Sequence, residues 1–195
     1  IQNWPAPMAM AWGLAHDGEN LWITDPSSAP TIIQEVSEDG TLTGNTIPCA
    51  WGGSWVGDMA SDGMYLYCCN VGGDNNIYVV DLADGTVVNQ IGGAFTGVSQ
   101  RGLAYDEVND EYYIGGWNEN TIYRLDGTGA TIDTYSWPSI SGLAWHCNGS
   151  SGTGTIWVIE NSPADNVTEL DPNDNWAQLQ QFTLPGSGGY GGAGT

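Results

Sequence analysis

A repeated segment constrains the fold of this chain more than any other feature. The sequence GLAHDGENLWITD at residues 13–25 returns as DMASDGMYLYCCN at residues 58–70 without a gap. Its alanine recurs at spacings of 45, 44 and 40 residues, at Ala15, Ala60, Ala104 and Ala144. A period of this length is typical of proteins built from stacked supersecondary units. We therefore predict a repeat protein whose units bury their apolar faces against one another.

Each repeat contains four short apolar segments separated by turn residues. In the first repeat, LWITD at 21–25 and IIQEVS at 32–37 are rich in Ile, Val, Thr and Trp, which is typical of strands. Pairs such as Asp84-Gly85 predict tight hairpin turns. Four strands in about 40–45 residues form one blade of a β-propeller. The predicted fold is all-β, a β-propeller of four-stranded antiparallel blades.

The repeats divide the chain into about four blades within a single propeller domain or propeller segment. The predicted blades are residues 13–56, 57–101, 102–141 and 142–188, with partial strands at both ends. Two interpretations stay open. Either the remaining blades of a larger ring are missing or belong to another chain, or the two end segments meet and complete a small ring. We favour the first, because a ring sealed by so little strand leaves edges that pair with other chains.

The charge of the chain excludes several classes of partner. The formal net charge is −21, with 23 acidic residues against only Arg101 and Arg124. Phosphate binding needs a basic surface, so we expect no nucleic-acid partner. We also expect no membrane insertion, because no apolar run approaches the roughly 18 residues of a membrane helix. The abundance of Asn, Gly, Ser, Thr and Trp without lysine is typical of an extracellular or cell-surface protein.

Aromatic residues in the predicted loops are the candidate ligand contacts. Trp51, Phe95 and Leu184 each lie nine residues before a repeat alanine, and this regularity predicts wedges between blades. Other aromatic residues break that register. Exposed tryptophan can stack on a sugar ring or anchor a protein partner. The predicted ligand-binding residues are Trp12, Trp55, Trp117 and Tyr190.

Three aspartates recur at the end of the first predicted strand of their repeats, and two roles are open for them. These residues are Asp17, Asp62 and Asp106. A ring of carboxylates is a candidate calcium site, because calcium takes several oxygen ligands. Aspartate in this position also bonds the backbone of the turn that follows. The fourth repeat has His146, so a ring would be incomplete, and we favour the turn role while keeping calcium as the alternative.

The two histidines and the four cysteines offer further candidate chemistry. His16 and His146 occupy neighbouring positions of the first and fourth repeats, where a closed ring would let them form half a metal site or a general base. The cysteines contain no CxxC pair, so zinc is not indicated. Cys68 takes an apolar strand position and is expected to be buried. Cys69 faces the other side of that strand, and we predict a disulfide between Cys49 and Cys69.

The repeat wording resembles a known class of propellers. GLAHDGENLWITD and the later GLAYDEVNDEYYIGGWNENTIYRLD are similar to the G-L-A-x-D-G-x-x-L-W repeats of secreted bacterial and archaeal propellers related to the NHL and YVTN types. The resemblance covers about residues 13–184. It implies a propeller fold and an exported protein. Adhesion or partner binding is the usual supposition for such relatives, although some are glutaminyl-peptide cyclotransferases or streptogramin lyases.

Three functions are therefore considered. The first is a non-catalytic extracellular module that presents loops on one propeller face to a protein or glycan partner, with calcium as a stabilising ion. The second is a cyclotransferase-like or lyase-like enzyme with its site at the channel mouth. This alternative requires His16 or His146 to lie near Asp or Glu at the axis. The third is a structural component of a surface assembly.

Overall fold

The computed structural model describes residues 4–51, 55–116, 118–161 and 165–184. Within them, four antiparallel sheets each contain four strands in chain order. Blade 1 contains β1 (Leu14–His16), β2 (Leu21–Asp25), β3 (Ile32–Val36) and β4 (Leu42–Pro48), and blade 2 contains β5 (Trp55–Ser61), β6 (Tyr65–Val71), β7 (Ile77–Asp81) and β8 (Val87–Ile91). Blade 3 contains β9 (Gly102–Asp106), β10 (Glu111–Gly116), β11 (Thr121–Asp126) and β12 (Thr131–Ser136). Blade 4 contains β13 (Ile140–His146), β14 (Thr155–Glu160), β15 (Asn166–Asp171) and β16 (Ala177–Thr183).

The repeat seen in the sequence is a repeat of strand register. In every blade the repeat alanine of the first strand pairs with an aromatic residue of the second. These pairs are Ala15 with Trp22, Ala60 with Tyr67, Ala104 with Tyr113, and Ala144 with Trp157. The small residue leaves room for the large ring beside it. The predicted propeller of four-stranded antiparallel blades is confirmed.

Apolar residues join each blade to the next. Between blades 1 and 2, Trp22 and Ile33 pack in one cluster with Met59, Leu66 and Cys68. Phe95 is completely buried in the cluster between blades 2 and 3, as a predicted wedge should be. A third cluster joins Tyr113 and Ile122 of blade 3 to blade 4, with Ile140, Leu143 and Ile156 among its members. Burial of these faces is the main stabilising contribution to the stack of blades.

The first strands of the four blades surround a narrow axis. β5 contacts both β1 and β9, β9 contacts β13, and β13 also reaches β5. Glycine permits this close approach, since a Cβ on Gly13 would lie 2.8 Å from the Cα of Asp58. The Asp58 side chain is fully buried at this place, where its Oδ2 accepts the N–H groups of Leu103 (3.0 Å) and Leu143 (3.3 Å).

The remaining described structure is short. A single turn of 3-10 helix, Ala94–Gly97, precedes β9. No helix in the described ranges is long and apolar enough to cross a membrane. Before β1, the indole N–H of Trp4 donates to the carbonyl of Glu38 at 3.1 Å, in the turn between β3 and β4. The partial strands predicted at the two ends fall largely on residues 1–3 and 185–195, which lie outside the described residues.

Candidate functional site

The two ends of the axis carry different sets of side chains. The starts of the first strands bring together Trp12, Trp55 and Arg101, which we call the platform. The ends of the same strands surround a cavity of about 530 Å³, which we call the axial cavity. Both are candidate sites, because the mouths of a propeller channel are formed by loops that the rigid blades hold in place.

The platform is built from residues of three blades. The rings of Trp12 and Trp55 have centroids 5.6 Å apart and planes inclined by 58°. The guanidinium of Arg101 lies 4.9 Å from the centroid of the Trp12 ring. Trp55 is 41% exposed, whereas Trp12 and Arg101 are half-buried. Burial lowers the pKa of Arg101 from its usual value.

Backbone hydrogen bonds hold the platform in position. The N–H of Trp12 donates to the carbonyl of Thr24 at 3.2 Å, and the N–H of Arg101 donates to the carbonyl of Gly115 at 2.8 Å. Trp55 is the first residue of β5, so the edge of the blade orients it. Fixed aromatic faces beside a cation can stack on a sugar ring or receive a side chain of a protein partner.

The structure describes two of the four predicted ligand-binding residues. Trp12 and Trp55 come together, although 43 residues separate them in the chain. Trp117 and Tyr190 lie outside the described residues. The role of all four in binding stays a prediction. Sequence reasoning missed Arg101, and its position directly before the repeat glycine, as for Trp12, was the available signal.

The axial cavity is lined by residues of all four blades. Its lining comprises His16, Asp17, Gly18, Ala60, Ser61, Asp62, Gly63, Tyr105, Glu107, Trp145, His146 and Cys147. Both histidines are therefore at one cavity with three acidic residues. The Nε2 of His16 lies 3.6 Å from Oε1 of Glu38, a carboxylate outside the lining. This convergence of histidine and carboxylate at the axis is what the enzyme alternative requires.

The recurring aspartates close the turns after their strands. Oδ1 of Asp17 accepts the N–H groups of Glu19 and Asn20 at 2.8 and 2.7 Å, and its Oδ2 accepts the indole N–H of Trp22. Asp62 repeats this arrangement, with its Oδ2 accepting the hydroxyl of Tyr67 at 2.7 Å. Each carboxylate thus joins a turn to the aromatic residue of the second strand, because both lie on the same side of the hairpin.

The third aspartate behaves in a similar way, and no carboxylate ring forms. Oδ1 of Asp106 accepts the N–H of Val108 at 3.0 Å, and Oδ2 accepts from Asn109 at 2.7 Å. Within the part of the chain that the structure describes, no group of three or more His, Cys, Asp or Glu side chains is placed to hold a metal ion. The predicted calcium site at Asp17, Asp62 and Asp106 has no support in this geometry, and calcium binding stays a prediction.

Two aromatic rings form fixed walls of the axial cavity. Tyr105 lies against Tyr67 with ring centroids 4.2 Å apart, and its hydroxyl donates to Asp110 at 3.1 Å. Trp145 stacks on Tyr113 at 5.3 Å and an interplanar angle of 12°. Sequence reasoning missed both walls, because their positions one residue after a repeat alanine carry different side chains in each blade.

The predicted disulfide between Cys49 and Cys69 is absent from the structure, where all four cysteines are free thiols. Cys49 packs in the cluster between blades 1 and 2, together with Cys68. Cys69 faces the opposite side of β6 and packs between blades 2 and 3. The prediction was wrong because it placed Cys49 against the wrong face of β6. Cys147, at the axial cavity, is exposed.

Comparison with known proteins supports the fold. No protein-family model matches the sequence, and no curated protein matches it either. Among solved structures, the chain is similar to the Pan2 WD40 domain of Neurospora crassa, with 14% identity, a TM-score of 0.59 and coverage of 89% of this chain and 49% of that one. It is also similar to a chain of a mitotic checkpoint complex, with 18% identity, a TM-score of 0.57 and coverage of 89% and 52%.

A third similar structure is an enzyme. The glutaminyl cyclase of Myxococcus xanthus has 17% identity and a TM-score of 0.55, with coverage of 76% of this chain and 67% of that one. At these identities the likeness concerns the fold alone. This chain spans about half the length of the first two structures. The class that the fold defines is the β-propeller.

Proposed function

We propose that this protein is a non-catalytic extracellular module that binds a protein or glycan partner through the platform. The observation that supports this function is the meeting of Trp12, Trp55 and Arg101 at one end of the axis. Tryptophan and arginine are the residues that most often dominate binding energy at interfaces. The net charge of the chain, −21, favours solubility of such a module.

The test measures binding by the wild-type chain, by Trp12→Ala and by Trp55→Ala. The probes are an array of defined oligosaccharides and a displayed peptide library selected against the immobilised chain. Loss of either ring should weaken binding about 30-fold, as for a hot-spot residue. Trp157→Ala is the matched control, because Trp157 is also half-buried and has an aromatic neighbour, Phe182, at 6.0 Å. Unchanged binding by both platform variants would count against the proposal.

A second candidate function is an enzyme that uses the axial cavity. It is favoured by the position of His16 and His146 beside Asp17, Asp62 and Glu107, since histidine next to a carboxylate is a common general base. The likeness to a glutaminyl cyclase supports a test with a peptide that begins with glutamine. Mass spectrometry would show loss of ammonia from the peptide, and His16→Asn and His146→Asn should abolish it. Absence of turnover by the wild-type protein would exclude this reaction.

A further inference from the structure

The axial cavity differs from the platform in its position on the axis. It lies at the end of the axis where the first strands finish, whereas the platform lies where they begin. An inference about its ligand is therefore independent of the role proposed for the platform. At about 530 Å³ it is large enough for a small molecule or for one long side chain of a partner.

Apart from the two histidines, the charged side chains that line the axial cavity are all acidic. Asp17, Asp62 and Glu107 line it, and the lining contains no arginine or lysine. Burial acts to raise the pKa of Asp17, but hydrogen bonds from Asn20 and Trp22 hold it below its usual value, so this charge persists at neutral pH. The two arginines of the chain lie elsewhere. Arg101 is in the platform, and Arg124 is paired with Glu111 at 2.6 Å.

The aromatic rings of the axial cavity provide a second attraction for a positively charged ligand. Tyr105 and Trp145 both line the cavity, and each is held by an aromatic neighbour, Tyr67 or Tyr113. The face of an aromatic ring attracts ammonium and guanidinium groups. Because the rings are already fixed, a ligand loses little free energy in ordering them.

We propose that the axial cavity binds an organic cation through an ammonium or guanidinium group. The carboxylates of Asp17, Asp62 and Glu107 attract the charge, and the rings of Tyr105 and Trp145 contact the cationic group or its carbon chain. The same chemistry is present in a free small molecule and in the basic side chain of a peptide. A neutral analogue of the same shape lacks both attractions.

The experiment uses two cationic probes and one neutral probe. Calorimetric titrations at pH 8 and low ionic strength compare ethylguanidinium, the peptide acetyl-Gly-Arg-Gly-amide, and the same peptide with citrulline in place of arginine. Citrulline keeps the shape of arginine without its charge. We expect binding of a cationic probe that weakens with added salt, and binding of the citrulline peptide that is at least about tenfold weaker.

The test variant removes the charges of the cavity without removing its turns. The combination Asp17→Asn, Asp62→Asn and Glu107→Gln keeps an oxygen that accepts the turn N–H groups at positions 17 and 62. We expect the Kd of the cationic probe to rise at least tenfold. The control, Asp25→Asn with Asp74→Asn and Glu119→Gln, changes the net charge equally at the other end of the sheets, at the end of β2 and in the loops that follow β6 and β10. It should leave the Kd within about twofold. The asparagines of the test variant lose the oxygens that accept from Trp22 and Tyr67, and the control set loses comparable bonds from Tyr78 and Tyr123.

The outcomes separate the two sources of the cation. Binding of ethylguanidinium that the test variant loses supports a small-molecule ligand, whereas binding of the arginine peptide alone supports a peptide ligand. The proposal is overturned if neither cationic probe binds the wild-type protein, if the citrulline peptide binds as well as the arginine peptide, or if both variants weaken binding equally. Thermal unfolding of each variant verifies that a change in Kd does not come from loss of the fold.

Discussion

Oδ2 of Asp58, in β5, accepts the backbone N–H of Leu103, in β9, at 3.0 Å, at the point where the four blades meet. The N–H of Leu143, in β13, donates to the same oxygen at 3.3 Å, so one carboxyl group of blade 2 is bonded to the first strands of blades 3 and 4. Asp58 occupies the position that is glycine in the other three repeats. It therefore fills the axis and joins blade 2 to the other blades.

The stability of the protein should depend on the protonation of Asp58. Burial raises the pKa of Asp58 to about 7, whereas the unfolded chain has the ordinary value near 3.9. The native state thus keeps a proton that the unfolded state has lost. The associated stabilisation, about 4 kcal/mol, is complete below about pH 4 and disappears as pH rises through 7. The thiol of Cys69 is the titratable neighbour, and burial raises its pKa to about 12, so it stays neutral over this range.

Asp58→Asn tests this dependence, because the amide keeps an acceptor for Leu103 but does not ionise. Urea unfolding between pH 4.5 and 8.5 should show the variant gaining about 3 kcal/mol relative to the wild type across the range. The exposed Asp174→Asn is the control and should run parallel to the wild type. Parallel curves for Asp58→Asn as well would contradict the buried, protonated carboxylate.

The close approach of the first strands predicts a large effect of one methyl group. A Cβ on Gly13 would lie 2.8 Å from the Cα of Asp58 and 3.2 Å from the carbonyl oxygen of Gly57. Both are backbone atoms and cannot move aside independently. Gly13→Ala should therefore destabilise the protein by about 1–3 kcal/mol, measured by thermal or urea unfolding.

Gly97→Ala is the matched control for this substitution, since a Cβ there meets nothing within 4 Å. We expect a change within about 0.5 kcal/mol. Equal stability of the two variants would mean that the strands at the axis are farther apart than the structure places them.

Glu169 should stabilise the loop between β13 and β14 above pH 5. Its carboxylate accepts the N–H and hydroxyl of Ser150, the hydroxyl of Thr155 and the amide of Gln180. Burial acts to raise the pKa of Glu169, but these hydrogen bonds hold it at about 2. Its contribution is therefore present above about pH 4.5 and is lost as pH falls toward 2.

Glu169→Gln removes one of the acceptor oxygens and should cost about 1–3 kcal/mol near pH 7. The cost should shrink as pH falls below about 4.5, because the carboxylate of the unfolded wild-type chain takes up a proton while that of the native chain stays ionised until the pH approaches 2. Denaturant unfolding at pH 7 and pH 3 measures both values. The exposed Glu107→Gln should change stability by less than about 0.5 kcal/mol at either pH. A cost for Glu169→Gln that is the same at both pH values would argue against the ionised network.

The thiols should differ sharply in reactivity. Cys147 is exposed, whereas Cys49, Cys68 and Cys69 are buried. Burial raises the pKa of Cys49 and of Cys69 to about 12, and also raises that of Cys68, so few thiolates form at neutral pH. A thiol reagent should modify one cysteine in the native protein and four after denaturation. Only two reactive thiols after denaturation would show that two of the cysteines are joined in a disulfide, and peptide mapping would then identify the pair.

The strand pattern was predictable from the sequence because it depends on residues that are close together in the chain. Blades 1 and 2 repeat a small residue, a turn aspartate and an aromatic residue at the same offsets, and the pairs Ala15 with Trp22 and Ala60 with Tyr67 follow directly from that spacing. Blades 3 and 4 keep the pairing of alanine with an aromatic residue but have longer turns between the two strands. Period-two alternation and turn chemistry act over a few residues, so a single copy is readable and four copies reinforce one another.

The candidate sites were predictable only in part. The turn role of Asp17 was evident, because it depends on residues two and three positions away. The partnership of Trp12, Trp55 and Arg101 was not, since it depends on how successive blades are rotated about the axis. For the same reason, the sequence did not show that Cys68 rather than Cys69 lies on the face of β6 that packs against Cys49.

The sequence by itself determined the blade, its strands and its turns. The tertiary structure alone decided which side chains meet at the axis, namely the buried carboxylate of Asp58, the platform and the axial cavity. The physical reason is that hydrogen-bonded hairpins are specified by neighbours in the chain, whereas the axis is formed by residues about 40–45 positions apart. Their meeting depends on the packing of whole sheets, which no local pattern encodes.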